Sequence, residues 1–104
     1  MKSIERTNYY QTNINAANKL IEYLYQDAQI WDQLPAYRRH GRLIYFGLFQ
    51  GFMSILKIGE QQGELTRQQL KEYRLLQRRK RDVLGLIELL KKRDAELNKI
   101  NKER

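Results

Sequence analysis

Apolar residues alternate at spacings of four and three over residues 10–31, and this pattern constrains the fold more than any other feature of the chain. The seam consists of Tyr10, Ile14, Ala17, Ile21, Leu24, Ala28 and Trp31. Such spacing marks one face of an α-helix, whereas a half-buried β-strand would alternate with a period of two. We therefore predict a first helix over residues 10–33, with Thr12 or Asn13 as its cap if the first turn is frayed. It ends before Pro35, because the residue preceding a proline disfavours helical angles.

A second helix is predicted over residues 36–62, and it is apolar around most of its circumference. One face carries Ile44, Leu48, Ile55 and Ile58, and an adjoining face carries Tyr45, Phe49, Phe52 and Leu56. Because a helix with so little polar surface needs more than one neighbour, we expect it at the centre of a bundle. Gly47 and Gly51 each cost about 1 kcal/mol of helix propensity relative to alanine. We interpret them as points where another helix backbone approaches closely, with a local kink as the alternative.

A tight turn precedes the third helix, which is predicted over residues 67–100. Gly63 suits the left-handed end of a helix. Thr66 followed by Gln69 matches a capping box, in which the two residues satisfy each other's backbone N–H groups. The apolar seam of this helix reads Tyr73, Leu76, Val83, Ile87, Leu90 and Leu97.

These elements predict an all-α fold, a three-helix antiparallel bundle with a long C-terminal helix, in one domain over residues 1–104. Lys80 and Asp94 interrupt the third seam, and around residues 83–90 the apolar side chains spread nearly all round the helix. One partner helix cannot cover that surface, so either the first helix or a second chain completes its burial. We predict a homodimer formed through helix–helix contacts. The residues assigned to self-association or to a protein partner are Val83, Leu86, Leu89, Leu90, Gly47 and Gly51.

Positive charge is concentrated in the last part of the chain. Thirteen of the 20 Lys and Arg residues lie in residues 66–104 beside six acids, so this part carries +7 of the net charge of +8. Five cations of the third helix recur at steps of four and three: Arg67, Lys71, Arg74, Arg78 and Arg81. At about 100° per residue they share a strip about 80° wide. Like charges at these spacings repel by a few tenths of a kcal/mol per pair, and we infer a compensating partner.

A second basic group is predicted at one end of the bundle. Folding the chain back at residue 64 places Arg38 beside roughly residue 90. The runs that meet there are Arg38, Arg39 and Arg42 from the second helix and Lys91, Lys92 and Arg93 from the third. Tyr37 and Tyr45 flank the first run, and basic residues near aromatic rings can hold nucleic acid through phosphate contacts and base stacking.

Other classes of protein find little support in the sequence. The chain has no cysteine, which excludes disulfides, thiolate chemistry and cysteine-ligated metal sites. The single histidine, His40, has neither a second histidine nor an orienting carboxylate, so we expect no catalytic residue, metal, cofactor or small-molecule substrate, and no enzyme. Residues 43–58 are the most apolar run and fall short of the about 20 residues that a spanning helix needs. The N-terminus lacks a signal-peptide pattern, and we expect a cytoplasmic protein.

Charge and fold together favour a small basic helical regulator that binds nucleic acid, DNA or RNA, mainly through backbone phosphates. The residues assigned to this role are Arg67, Lys71, Arg74, Arg78, Arg81, Arg38, Arg39, Arg42, Lys91, Lys92 and Arg93. The alternative is a protein-binding regulator or inhibitor that docks on an acidic and apolar surface of its partner. A third hypothesis, which we weight least, places residues 43–58 at an anionic lipid surface.

Overall fold

The computed structural model describes the backbone of residues 3–103 and the side chains of residues 3–100. Helix α1 spans Ile4–Gln29 and leads into a 3-10 turn at Trp31–Gln33. Helices α2, Ala36–Phe46, and α3, Phe49–Gln61, follow one another as a second limb, and α4 spans Arg67–Glu103. No β-strand occurs in this described part of the chain. The predicted all-α fold with a long C-terminal helix is therefore confirmed.

Helix α1 begins earlier than predicted because Ser3 caps it. The backbone of Ser3 is extended, and its hydroxyl accepts a hydrogen bond from the N–H of Arg6 at 3.0 Å. Thr12 and Asn13 lie inside the helix, where their side chains donate to the carbonyl four residues earlier at 2.9 and 2.8 Å. Neither residue caps the helix.

The bundle consists of three limbs that all pack against one another: α1, the second limb and α4. The apolar seam of α1 is buried as expected, and Ile14, Ala17 and Leu24 have no exposed surface. Helix α1 packs against both α3 and α4, and α2 also packs against α4. The second limb therefore has more than one neighbour, as its apolar circumference predicts.

The second limb buries one of its two apolar faces and leaves the other uncovered. Phe49 and Leu56 are completely buried. Ile44 is 62% exposed, and Leu48 and Ile58 are each 50% exposed. Among residues 3–100, no helix covers this second face.

Within the chain, neither Gly47 nor Gly51 is a point of close approach to another helix, and Gly47 instead fits the alternative of a local interruption. Gly47 lies at the interruption between α2 and α3, where the N–H of Leu48 bonds the carbonyl three residues back. A Cβ added at Gly51 would meet nothing within 4 Å. The close approach occurs instead at Gly59, where an added Cβ would lie 2.7 Å from the ring of Tyr10. The chain therefore uses Gly59, and neither of the two predicted glycines, to seat α3 against α1.

The turn between α3 and α4 has the predicted geometry. Gly63 has a φ of 67°, in the left-handed region. The N–H of Thr66 donates to Gln69 Oε1 at 3.0 Å, and the N–H of Gln69 donates to Thr66 Oγ1 at 3.1 Å. The Gln69 amide is buried and also donates to the carbonyl of Thr7 at 2.8 Å. The capping box is confirmed, and it joins the start of α4 to α1.

The molecule is elongated because α4 is much longer than the other helices. Its principal extents are 61 × 23 × 19 Å, and the radius of gyration is 16.4 Å. A compact chain of this length would have a radius of gyration of about 13 Å. The long helix thus presents an extended, nearly linear surface to solvent.

Gly59→Ala is expected to destabilise the fold, because the added methyl group would lie 2.7 Å from the Tyr10 ring. Overpacking of this kind costs about 1–3 kcal/mol of unfolding free energy. The matched control is Gly85→Ala within α4, where an added Cβ meets nothing within 4 Å and alanine gains about 1 kcal/mol of helix propensity. Urea denaturation measures both variants, and a Gly59→Ala protein as stable as the control would contradict this packing.

Candidate nucleic-acid interface

The rotation of α4 about its axis is fixed by its buried side chains. Tyr73, Leu76, Val83, Ile87 and Leu90 are each at most 6% exposed. The opposite side carries the five predicted cations, and all five are exposed: Arg67, Lys71, Arg74, Arg78 and Arg81. We call this set the basic ridge. The packed core therefore holds the basic ridge in the solvent as one straight row.

The basic ridge carries an unbalanced charge. At about 1.5 Å per residue it extends about 21 Å from Arg67 to Arg81. Among the side chains of residues 3–100, no carboxylate forms an ion pair with any of its five cations. Glu72 and Asp82 are close to these cations in sequence, but neither carboxylate forms an ion pair with them. No direct ion pair within the described part of the chain therefore offsets the mutual repulsion along the row.

Apolar side chains flank the cations of the basic ridge. Leu70 and Leu75 line a shallow depression of about 410 Å³ together with Arg67, Lys71, Arg74 and Arg78. Leu75 is 51% exposed. The surface therefore offers cationic groups for an anion and aliphatic groups beside them.

The second basic group does assemble at one end of the bundle, but it is largely neutralised. Arg39 Nε donates to Asp94 Oδ1 at 2.8 Å, about one helical turn beyond the predicted facing position. The guanidinium also donates to the carbonyl of Leu34 and to Asn98 Oδ1. Arg39 is only 3% exposed, so its assignment to the nucleic-acid interface is wrong. It ties α2 to α4 instead.

Three more cations of this group are paired with carboxylates of the same chain. The contacts are Arg42 Nε to Asp27 Oδ2 at 2.9 Å, Arg93 Nη2 to Asp32 Oδ2 at 2.5 Å, Arg93 Nη1 to Glu96 Oε2 at 3.0 Å and Lys91 Nζ to Glu88 Oε1 at 3.3 Å. Hydrogen bonding to Asp32 raises the pKa of Arg93, and the same contact lowers the pKa of Asp32. Only Arg38 and Lys92 of the group are exposed without an ion pair to a described carboxylate. The predicted second cationic site is thus reduced to these two residues.

Asp27 is a buried carboxylate at the junction of α1 and α2. Burial raises its pKa, and the nearby Arg42 and Arg38 oppose that shift without cancelling it. The Arg42 guanidinium also lies 4.5 Å from the centre of the Tyr23 ring. Tyr45 packs edge-on against the same ring at 6.0 Å and is partly buried. Tyr45 therefore belongs to this internal cluster, whereas Tyr37 is 78% exposed.

Of the α4 residues assigned to self-association, two are buried in the core and two are at least partly exposed. Val83 and Leu90 are buried in the core of their own chain, so their assignment to an intermolecular contact is wrong. Leu86 is half-buried, and Leu89 is 62% exposed. Because Val83, Ile87 and Leu90 are buried within their own chain, less of the apolar surface between residues 83 and 90 remains for a second chain.

The pairing of the buried Arg39 with Asp94 was not predicted from the sequence, although one feature of the sequence indicated it. Asp94 stands in an otherwise apolar seam, and a carboxylate in that position is rarely buried without a partner. The pairing of Arg39 with Asp94 explains this interruption. Lys80, the other interruption, is exposed beside Met53 and Tyr73 and carries no such pair.

Comparison with known proteins found no matching family model, no similar curated protein and no similar solved structure. Among the side chains of residues 3–100, no three His, Asp or Glu are grouped so that they could hold a metal ion. No helix in that part has both the length and the hydropathy for a membrane crossing. The geometry and charge of this chain are therefore the basis for a functional proposal.

Asp94→Asn is expected to lower the unfolding free energy by about 3 kcal/mol, because it leaves the buried Arg39 without its counter-ion. Changing Arg39→Met and Asp94→Leu together should recover most of this loss, since a buried pair can often be replaced by apolar residues at no cost. Thermal and urea denaturation measure both effects. An Asp94→Asn protein with wild-type stability would contradict the role of the pair.

Asp27→Asn is expected to raise stability at neutral pH. The pKa of Asp27 in the folded state lies above its ordinary value of 3.8. Below that pH the carboxyl group is protonated, and its contribution to folding stability is fully present. This contribution is lost as the pH rises through the raised pKa. The unfolding free energy of the variant minus that of the wild type should therefore be larger at about pH 7 than at about pH 3.5. A variant less stable than wild type at neutral pH would show that the Arg42 contact outweighs burial.

Proposed function

We propose that this chain is a small basic regulatory protein that binds nucleic acid along the basic ridge, mainly through backbone phosphates. The observation that carries the proposal is the contrast between the two basic groups. Most cations at the end of the bundle are paired within the chain, whereas all five cations of the basic ridge lack an ion pair with a described carboxylate. Five of the 11 Lys and Arg residues that lack an ion pair within residues 3–100 thus lie in one row along α4.

A polyanion suits this row for electrostatic reasons. Duplex DNA carries about one negative charge per 1.7 Å of its axis, so about 21 Å of ridge faces more phosphates than the ridge has cations. Binding would replace repulsion along the helix by attraction and would release condensed counter-ions. Four of the five cations are arginines, whose planar guanidinium groups form paired hydrogen bonds with phosphate oxygens.

Phosphate contacts of this kind position a protein without selecting a sequence. The cations of the basic ridge are fixed by the packing of α4, so they form a regular row of charges along one side of the molecule. Arg38 and Lys92 add two accessible cations elsewhere on the surface. The proposal is therefore for backbone binding with little base readout, by a protein that binds and does not catalyse. It includes a homodimer and a cytoplasmic location, and the absence of cysteine suits a reducing compartment.

Salt dependence tests the number of phosphate contacts. Five contacts predict a slope of log affinity against log salt of about −4.5 for duplex DNA and about −3.5 for a single strand. Between 50 and 200 mM salt, duplex affinity should fall about 500-fold and single-strand affinity about 130-fold. Fluorescence anisotropy with random-sequence DNA duplexes and with single-stranded RNA measures both slopes. A slope near zero for both probes would contradict phosphate binding.

Charge reversal tests whether the basic ridge itself is the site. We expect combined Arg74→Glu, Arg78→Glu and Arg81→Glu substitutions to abolish binding at 100 mM salt. The control combines Lys19→Glu, Lys57→Glu and Lys99→Glu, which change the net charge by the same amount at exposed positions off the basic ridge. Its binding should be much better preserved. Equal loss in the two proteins would assign the affinity to net charge alone.

An acidic protein partner is the second candidate, and the apolar side chains beside the cations favour it. Leu75 and Leu89 are 51% and 62% exposed on α4, and an amphipathic acidic helix can use such groups as anchors. In that case Leu89→Asp should remove binding, and salt should have only a shallow effect. Nucleic-acid affinity that is insensitive to Leu89→Asp would favour the first candidate.

A further inference from the structure

The uncovered face of the second limb forms an apolar strip with regular spacing. It consists of Ile44, Leu48, Gly51, Ile55 and Ile58, which follow one another at steps of four, three, four and three. Ile44, Leu48 and Ile58 are at least half exposed, and Ile55 is half-buried. We call this set the apolar strip. Such spacing is that of a helix–helix seam, but no helix covers it within the part of the chain whose side chains are described.

The apolar strip is nearly symmetric about Gly51. Ile44 and Ile58 lie seven residues on either side of it, and Leu48 and Ile55 lie three and four residues away. A surface with this arrangement matches its own copy when two such helices run antiparallel. Two-fold symmetric contacts of this kind are self-complementary, because each residue meets the symmetry-related residue of the other chain.

Charge selects a second copy over other partners. Residues 43–58 contain one charged residue, Lys57, although the whole chain carries +8, and Lys57 lies about 120° round the helix from Gly51. Two strongly basic molecules can meet along such a strip without placing cations opposite one another. An acidic partner would gain no ion pair there, and the basic ridge would attract it more strongly.

We propose that the apolar strip is the surface through which two copies of the chain associate, with a two-fold axis passing close to Gly51. Ile44 then packs against Ile58 of the partner subunit, and the two Gly51 residues meet at the axis. An added Cβ at Gly51 has open space around it in one chain. A glycine at that point lets two helix backbones approach closely, which accounts for the helix propensity that it sacrifices.

The dimensions of the apolar strip indicate a dimer that dissociates on dilution. It is about 21 Å long and about 10 Å wide, so each copy buries a few hundred Å². A standard stable interface buries about 800 Å² per partner. No residue of the basic ridge lies in the apolar strip, and we expect both ridges of the dimer to be free to bind one polyanion together.

This inference names the surface of the homodimer in the proposed function and does not depend on what the basic ridge binds. It also replaces the predicted contact through Val83 and Leu90, which are buried. Both tests below are made without nucleic acid. A failure of dimerisation therefore leaves the basic ridge untested, and a failure of nucleic-acid binding leaves the dimer intact.

Cysteine cross-linking tests the position of the axis, because the natural chain has no cysteine. Gly51→Cys should give a disulfide-linked dimer under mild oxidation, since residues on a close two-fold contact satisfy the distance limits of a disulfide. The control is Gly85→Cys on the exposed side of α4, where an added Cβ also meets nothing within 4 Å. It should remain mostly monomeric. Cross-linking of Gly85→Cys to the same or a greater extent would overturn the assignment.

Sedimentation equilibrium tests the apolar strip without cross-linking. Leu48→Glu should shift the protein to monomer at concentrations where the wild type is dimeric. The matched control is Leu75→Glu, which changes a side chain of nearly equal exposure, 51% against 50%, on α4. It should remain dimeric, and circular dichroism should show both variants folded. A monomeric wild type at millimolar concentration, or dissociation by Leu75→Glu alone, would overturn the proposal.

Discussion

Burial of the apolar seam of α1 against both α3 and α4 is the interaction on which the remaining structure depends. Ile14, Ala17, Leu20 and Leu24 are completely buried along it. This packing fixes the rotation of α4, and with it the direction of every cation on that helix. The capping box of Thr66 and Gln69 then sets where α4 begins, because buried Gln69 also bonds the backbone of α1. A row of charges on an isolated helix would have no such fixed orientation.

The distribution of carboxylates divides the basic residues into structural and accessible sets. Asp94, Asp27 and Asp32 each hold an arginine from another element of the bundle. These arginines join α1, α2 and α4 where the chain is least apolar. The basic ridge receives no comparable carboxylate from the described residues. The hydrophobic packing of α4 therefore has to offset the electrostatic repulsion between the cations of the basic ridge. Binding of a polyanion would relieve that repulsion.

Local sequence patterns predicted the helices and their turn. The features that depend on tertiary contacts between helices could not be predicted from those patterns. The seam of α1, the turn at Gly63 and the capping box are short-range features, and each was correctly predicted. The burial of Arg39 and the close contact at Gly59 depend on which helices become neighbours. Periodicity alone does not contain that information. The same limit applies to the second limb, since an apolar circumference does not show which of its faces the other helices will cover.

The length of α4 affects the behaviour of the protein in solution. A molecule with extents of 61 × 23 × 19 Å has more friction with water than a sphere of equal mass. It therefore diffuses slowly for its mass and elutes early from a sizing column, as a heavier globular protein would. Its tumbling is also anisotropic, with rotation about the long axis faster than end-over-end rotation. Backbone N–H vectors along α4 are nearly parallel to that axis, so their NMR relaxation will report the slower motion.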